Sequence, residues 1–149
     1  MSEVKRYNLR VYGIIRNLDG EVLISDECRN GHSFTKFPGG GLEFGEGLVD
    51  CLKRELSEEL SIDATIGELI YVNDFYQQSA FRKSDQLISF YYEVSDYSGE
   101  IFVTSHAIPV TEEGEKFRWV SIDELSPEMM TFPIDKIVVE KLKGNSTSR

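Results

Sequence analysis

A run of glycines stands directly before a segment with the periodicity of an amphipathic helix, and this pairing constrains the fold most. The glycines at 39–41 allow backbone conformations that side chains would forbid. After them, leucines recur every four residues, at positions 48, 52, 56 and 60, and form one apolar stripe joined by Val49. The pattern predicts a helix that begins near Glu46 or Gly47, ends near Leu60 and packs its leucines on a sheet.

Three glutamates border the apolar stripe of this predicted helix: Glu55, Glu58 and Glu59. At about 100° per residue they fall within an arc of roughly 100°. Glu55 and Glu59 are an i, i+4 pair of like charge, which destabilises an isolated helix. A divalent cation would turn that repulsion into attraction, because hard cations such as Mg²⁺ bind carboxylate oxygens and often bridge to phosphates. The alternative, a solvated acidic face, explains the glutamates but not the glycines and the spacing.

The spacing resembles the Nudix box, G-x5-E-x7-R-E-U-x-E-E-x-G-U, in which U is an aliphatic residue. The positions that match the box are Gly40, Glu46, Arg54, Glu55, Leu56, Glu58, Glu59 and Ile62. The late glycine of the box is Ser61 here. Glycine commonly ends a helix in the left-handed conformation, and we expect Ser61 to end this one in another conformation without loss of activity. With the segment 117–125, the resemblance extends over most of residues 7–142.

The resemblance implies an α/β fold, which is an α/β/α sandwich with a central mixed β-sheet and a loop-helix-loop catalytic motif. It also implies a Mg²⁺-dependent hydrolase, with Mn²⁺ as the other candidate ion, that cleaves a pyrophosphate linkage by attack of water at phosphorus. Glu55, Glu58 and Glu59 would be the metal ligands, and one of them or a downstream glutamate the general base. Arg54 would orient carboxylates, with Glu46 as its partner. The substrate stays open among nucleoside triphosphates, nucleotide sugars, ADP-ribose and dinucleoside polyphosphates.

The resemblance suggests further site residues, and each of them also has an ordinary structural explanation. A further metal ligand would come from the acidic loop at 111–115, as Glu115 or Glu112, although an acidic surface loop is an equal explanation. Gly40 would shape a turn and expose backbone amides near phosphate. The candidate cations for phosphate or ribose are Arg29, Lys36, Arg82 and Lys83, each of which would otherwise be a solvated surface charge. The candidates for stacking on a base are Phe34, Tyr76 and Phe81, which would otherwise be core residues.

The net charge of −10 argues against a duplex nucleic acid as partner, because such binding draws on clustered lysines and arginines. A free nucleotide would bind only where metal ions and local cations invert the field. The sequence contains no run of 18 apolar residues, so no transmembrane helix is expected. It also shows no apolar stretch typical of a signal peptide, and we therefore expect a cytoplasmic protein. Cys28 and Cys51 are expected to be free thiols. A homodimer is an expectation from family analogy only.

The sequence predicts a single domain at residues 1–143 and a polar, frayed tail at 144–149. Strands are predicted at 7–16, 21–25, 34–37, 64–73, 75–81, 86–94 and 116–120, with a further short strand at 100–103. Residues 26–33 are predicted as a loop and 96–99 as a turn. A short helix is predicted at 122–125, capped by Ser121, and a final helix from Pro133 to about Leu142.

Two other functional classes compete with the hydrolase. The first is a nucleotide-sensing binding module that keeps the fold but not turnover, and the intact set of Glu55, Glu58 and Glu59 argues against it. The second is an acidic protein whose glutamate helix merely covers a sheet. Metal-dependent turnover of a nucleotide separates the hydrolase from both.

Overall fold

The computed structural model describes residues 3–144. These residues form two compact units, of which the first comprises the chain up to Gly13 together with Gly39–Gly99, and the second comprises Ile14–Pro38 together with the chain from Glu100. The elements, in chain order, are β1 (Arg6–Ile14), β2 (Glu21–Arg29), β3 (His32–Lys36), β4 (Gly39–Gly41), α1 (Leu48–Leu60), β5 (Asp63–Val72), β6 (Asp85–Ser98), β7 (Gly114–Ser121), a 3₁₀ turn η1 (Pro127–Met129) and α2 (Pro133–Leu142).

The first unit contains a four-stranded sheet in the order β4-β1-β6-β5. Strand β4 runs antiparallel to β1, with Gly40 opposite Val11 and Gly41 opposite Arg10. Strands β5 and β6 form an antiparallel pair with several register shifts along it. Because successive side chains of a strand point to opposite faces, Arg10 and Val11 lie on different faces of this sheet.

Helix α1 packs on this sheet through the apolar stripe that the sequence predicts. Leu52, Leu56 and Leu60 are buried, together with Cys51, whereas Val49 is 42% exposed. Each buried leucine stabilises the fold by about 1.5–3 kcal/mol. A Cβ on Gly13 would lie 3.1 Å from Val94 Cγ2 of β6, which is a tight contact, and 3.5 Å from Leu52 of α1, which is an ordinary one.

The two ends of α1 are held by specific local contacts. At the start, the backbone N–H of Gly47 donates to the carboxylate of Asp50 at 3.2 Å, which satisfies one otherwise unpaired helix donor. At the end, Ser61 has φ 57° and ψ 38° and its N–H donates to the carbonyl of Ser57. The expectation that Ser61 avoids the left-handed conformation is therefore wrong. Ser61 takes the left-handed conformation in which glycine commonly ends a helix, in spite of its side chain.

The second unit contains a three-stranded antiparallel sheet in the order β3-β2-β7. Strands β2 and β3 are joined by Asn30 and Gly31, which both have positive φ, as a two-residue hairpin turn requires. The predicted loop at 26–33 is thus wrong, because β2 continues to Arg29. Asp26 and Glu27 are buried within it, since partners distant in sequence neutralise them. Asp26 accepts hydrogen bonds from Thr35 at 2.7 Å and from Arg118 at 2.6 Å.

Four further predictions of local structure are wrong. Residues 75–81 form no strand and contribute only an isolated bridge between Gln78 and Gln86. The predicted turn at 96–99 is largely the end of β6, and the residues at 100–103 form no strand. At 122–125 there is a turn rather than a helix, although the Ser121 hydroxyl accepts from the N–H of Glu124 as a cap does.

The final helix is confirmed, since α2 begins at Pro133 and ends at Leu142. The predicted tail at 144–149 lies outside the described residues except for Gly144. Within residues 3–144, neither helix has the length and apolar character needed to span a bilayer.

Candidate active site

Arg54 of α1 is the hub of a hydrogen-bonded cluster in the first unit. Its Nε donates to Glu46 Oε2 at 2.5 Å, and its Nη2 donates to Glu46 Oε1 at 3.0 Å. This fork-to-carboxylate pairing confirms the predicted partnership of Arg54 with Glu46. Nη2 also donates to the carbonyl of Gly41 at 3.1 Å, which ties the helix to β4.

The remaining donor group of Arg54 holds two of the predicted metal ligands. Nη1 donates to Glu55 Oε2 at 3.1 Å and to Glu58 Oε1 at 3.3 Å. The side chain of Glu55 is only 15% exposed, whereas that of Glu58 is 61% exposed. Arg54 therefore fixes the orientation of both carboxylates while one of them still faces solvent.

Gly40 lies within β4 and not in the turn that the sequence predicts. A Cβ at this position would stand 2.5 Å from Glu55 Cδ and from both of its oxygens, which no real side chain tolerates. A side chain at position 40 would therefore displace the carboxylate of Glu55 from the space that it occupies. Its neighbour Gly39 has φ 145°, a conformation that side chains rarely adopt.

Glu59 lies one helical turn after Glu55, and its Oε1 atom is buried. Arg10 of β1 is close enough to both glutamates that their charges raise its pKa, after the larger contribution of Tyr12. We did not single out Arg10 from the sequence. The available signal was its position in β1, where it alternates with the apolar Leu9 and Val11.

The ion pair of Glu46 and Arg54 stays charged well below neutral pH. The hydrogen bonds from Arg54 lower the pKa of Glu46 to about 2, against an ordinary value of 4.5. The same hydrogen bonds raise the pKa of Arg54 further above its ordinary value. Cys51 lies beside this cluster, and burial raises the pKa of its thiol to about 11. Cys51 is therefore a packing residue with a neutral thiol, and Cys28 is likewise buried and free.

The three glutamates of α1 offer hard oxygen donors, which is the ligand chemistry that Mg²⁺ and Mn²⁺ accept. Within residues 3–144, no three His, Cys, Asp or Glu side chains already converge on one point as a metal site. The reason is visible in the cluster, where Arg54 draws the carboxylates of Glu55 and Glu58 toward itself. The fit to a divalent cation therefore rests on the chemistry of these oxygen donors and not on a preformed site.

Three other predicted site residues, Lys36, Glu115 and Arg29, lie in the second unit and are paired with charged neighbours there. Lys36 is buried, and its Nζ lies 3.8 Å from Glu27 and 3.5 Å from Glu115. Glu115 also accepts a hydrogen bond from the Ser25 hydroxyl at 2.5 Å. Arg29 forms an ion pair with Glu27, and its side chain is 66% exposed.

The remaining candidates divide by exposure. Phe34 is buried and its ring lies 5.6 Å from that of Phe132, so it is a core residue. Tyr76 and Phe81 are 56% and 60% exposed, and the residues at 82, 83 and 112 are also exposed. Glu113 accepts from the N–H of Asn30 and so supports the β2–β3 turn.

Comparison with known proteins decides the family. The family model of the NUDIX domain matches residues 6–141. An 8-oxo-dGTP diphosphatase of Haemophilus influenzae is 35% identical over 112 residues, which cover 72% of this chain and 71% of that protein. This chain belongs to the Nudix family. An 8-oxo-dGTP diphosphatase of Escherichia coli K12 is 29% identical to this Nudix protein over 134 residues, which are 88% of the chain and 92% of the relative.

A solved MutT structure, from a study of Aliivibrio salmonicida and Vibrio cholerae, matches this Nudix protein with a TM-score of 0.69. The two are 28% identical, and the match covers 95% of this chain and all of the other. The predicted fold class is thereby confirmed. This chain is a Nudix pyrophosphohydrolase, and hydrolases of the family generally use divalent metal ions.

Proposed function

We propose that this Nudix hydrolase cleaves a nucleoside triphosphate into a nucleoside monophosphate and pyrophosphate, with Mg²⁺ as the bound ion and Mn²⁺ as a working substitute. The proposal treats residues 1–143 as one catalytic domain. Both curated relatives bear the name 8-oxo-dGTP diphosphatase, which favours a purine nucleoside triphosphate over a nucleotide sugar or ADP-ribose.

One observation carries the proposal: Arg54 holds the carboxylates of Glu55 and Glu58 on α1, and Glu55 fits against Gly40. An enzyme gains rate from charges that are positioned before the reaction begins. A binding module that did not turn over its ligand need not keep all three glutamates of α1. The arrangement therefore supports turnover rather than sensing.

The chemical difficulty is to bring a polyanion to a protein of net charge −10. Glu55, Glu58 and Glu59 would hold the divalent ion. When bound, this ion activates water and neutralises phosphoryl oxygens. Water adds across one phosphoanhydride bond, and the bond to the leaving pyrophosphate breaks. The proposed general base is one of these three glutamates or a later one. Carboxylates on a shared ion titrate together, so the proposal assigns this role to the set and not to a single residue.

Three other predicted site residues lie in the second unit and stay proposals. Glu115 stays a proposed later ligand, although its carboxylate already engages Ser25 and Lys36. Arg29 stays a proposed phosphate contact because most of its side chain is exposed. Lys36 is a weaker proposal, since its charge is already committed to Glu27 and Glu115.

The test is a turnover assay on a panel of substrates that includes dGTP, 8-oxo-dGTP, ATP, ADP-ribose and a nucleotide sugar. Each is incubated with the purified protein in Mg²⁺, in Mn²⁺ and in EDTA, and the products are separated by ion exchange. We expect metal-dependent release of pyrophosphate from a nucleoside triphosphate. Release of inorganic phosphate instead, or cleavage of ADP-ribose or a nucleotide sugar alone, would reject the proposed substrate class.

Glu58→Gln is the variant that tests the metal ligands, because Glu58 is largely exposed and its loss leaves the core intact. We expect its turnover to fall by about two or more orders of magnitude, since it removes charge from a preorganised site. Glu68→Gln is the matched control, an exposed glutamate of the same unit on β5. Equal activity of the two variants would remove the glutamates of α1 from the mechanism.

A further inference from the structure

Arg10 stands beside the Nudix box without belonging to it. In the β1–β4 pair it lies opposite Gly41, and a Cβ on Gly41 would come within 3.3 Å of Arg10 Nη1. The glycine at 41 thus leaves room for the guanidinium, as the one at 40 does for the carboxylate of Glu55. Two adjacent glycines of one strand accommodate two opposite charges.

The guanidinium of Arg10 is anchored at one end only. Its Nε donates to the hydroxyl of Tyr12 at 3.0 Å, and its central carbon lies 5.7 Å from the centre of the Tyr12 ring. For Nη1 and Nη2, residues 3–144 supply no hydrogen-bond acceptor. Arginine is half-buried here, and a guanidinium taken partly out of water gains from an acceptor for each of its donors.

Two of the proposed metal ligands, Glu55 and Glu59, act electrostatically on Arg10. Tyr12 raises the pKa of Arg10 most, and Glu55 and Glu59 raise it further, so the guanidinium carries its full charge at every working pH. If a divalent ion bound to these glutamates, it would offset the negative charge that now attracts Arg10. The guanidinium would then need another anion, and the anion that arrives with the ion is the phosphate chain of the nucleotide.

We propose that Arg10, anchored by Tyr12, donates its Nη1 and Nη2 hydrogen bonds to a phosphate group of the substrate beside the carboxylates of Glu55 and Glu59. The inference rests on the proposed function for the identity of the substrate as a nucleotide polyphosphate. The planar fork of arginine matches two phosphate oxygens at once, and a lysine would offer a single point charge. Arg10 is therefore a substrate-binding residue rather than a residue that only positions Glu55.

Binding of unreactive probes tests this inference separately from turnover. The probes are α,β-methylene-dGTP and inorganic pyrophosphate, each with Mg²⁺, titrated calorimetrically into the full chain. We expect Arg10→Gln to weaken the binding of both by about ten- to a hundredfold, since a hydrogen bond to a charged group is lost. Arg10→Lys keeps the charge and should lose less. Tyr12→Phe releases the anchor and should weaken binding by a smaller factor than Arg10→Gln.

The matched control is Arg6→Gln, an arginine of the same strand that pairs with Asp85 at 3.0 Å. It should bind both probes within twofold of the wild-type protein. Circular dichroism tests whether each variant is folded. If Arg10→Gln does not fold, Arg10→Lys replaces it in the binding titrations. In steady-state assays, Arg10→Gln should raise KM more than it lowers kcat.

Binding of pyrophosphate by folded Arg10→Gln with wild-type affinity would overturn the inference, and so would a fall in kcat with unchanged affinity for both probes. Failure of the wild-type protein to bind either probe would overturn it as well. A different result would overturn the proposed function. In that result the wild-type protein binds the probes but does not release pyrophosphate from any nucleoside triphosphate. The two results are therefore distinguishable.

Discussion

Two clusters of charged side chains in this chain use the same residue types in opposite ways. The helix cluster is centred on α1 and consists of Glu46, Arg54, Glu55, Glu58 and Glu59. The strand cluster is formed by β2, β3 and β7 and consists of Ser25, Glu27, Arg29, Lys36 and Glu115. The helix cluster has four carboxylates for one guanidinium, a nominal charge of −3. The strand cluster has two carboxylates and two cations, a nominal charge of zero.

The difference shows that charge balance, rather than acidity, separates a candidate metal site from a structural network. In the strand cluster each carboxylate already has a cation, and Lys36 and Glu27 are almost fully buried. In the helix cluster one arginine is shared among several carboxylates, and Glu58 still faces solvent. Excess negative charge at the surface is what a divalent cation neutralises, whereas a balanced buried pair gains little from one.

The largest expected effect comes from filling the space that Glu55 occupies in the helix cluster. Gly40→Ala places a Cβ 2.5 Å from the Glu55 carboxyl group and must displace it. Since a misplacement of about 1 Å can cost about a hundredfold in rate, we expect kcat/KM to fall by about that factor or more. Steady-state assays measure it. Gly47→Ala is the control, because its Cβ would make an ordinary 3.4 Å contact with Asp50. Similar kcat/KM in the two variants would contradict this role of Gly40.

The next effect tests whether the strand cluster is structural. Lys36→Met leaves Glu27 and Glu115 without their shared buried cation, and breaking a buried pair costs about 3 kcal/mol or more. Urea denaturation should show this loss in the free energy of unfolding. Lys116→Met removes an exposed lysine from the neighbouring position of β7 and should change stability by less than about 0.5 kcal/mol. A Lys36→Met protein of wild-type stability would show that the strand cluster is not held together by its charges.

A smaller effect is expected at the end of α1, next to the helix cluster. Ser61 has φ 57°, and a non-glycine residue in this conformation costs about 1–2 kcal/mol. Ser61→Gly removes the strain but adds freedom to the unfolded chain, so we expect a net gain of about 0.5–1 kcal/mol in thermal or urea unfolding. Ser57→Gly, in the exposed interior of the same helix, should instead lose about 0.5 kcal/mol. Loss of stability in both variants would mean that Ser61 is not strained.

The smallest effect is confined to acid and tests the link between Glu46 and Arg54. The pKa of Glu46 is lowered from 4.5 to about 2, so its ionised form is favoured in the folded protein. A lowered pKa contributes stability that is fully present above the unfolded value and is lost as pH falls from about 4.5 to about 2. Glu46→Gln should therefore show a flatter loss of stability across this window than the wild-type protein or Glu68→Gln. Parallel pH profiles for Glu46→Gln and the wild-type protein would contradict the pairing.

The sequence located α1 and α2 to within about two residues, because local signals set both helices. The leucine repeat defined one and Pro133 opened the other. Motif spacing likewise identified Glu46 as the partner of Arg54. Where the contacts join residues that are close in sequence, the sequence pattern was sufficient to predict the structure.

The errors arose where contacts join residues far apart in the chain. Asp26 and Glu27 look like loop residues by composition, yet Arg118 and Lys36 neutralise them inside a strand. At 75–81 the aromatic residues favour a strand, but Asn73 donates to the carbonyls of Phe75 and Leu87 and so stabilises an irregular segment. The reason for Gly40 was also hidden, because only the fold shows that Glu55 fills its space.

The burial of both cysteines has a practical consequence. Cys28 and Cys51 are the only thiols in the sequence, and neither is accessible to a bulky reagent. A fluorophore or spin label carried on a maleimide would therefore attach to a cysteine introduced at a fully exposed position such as Leu18, and nowhere else. Movements of the enzyme during turnover are thus open to spectroscopy without removal of its natural cysteines.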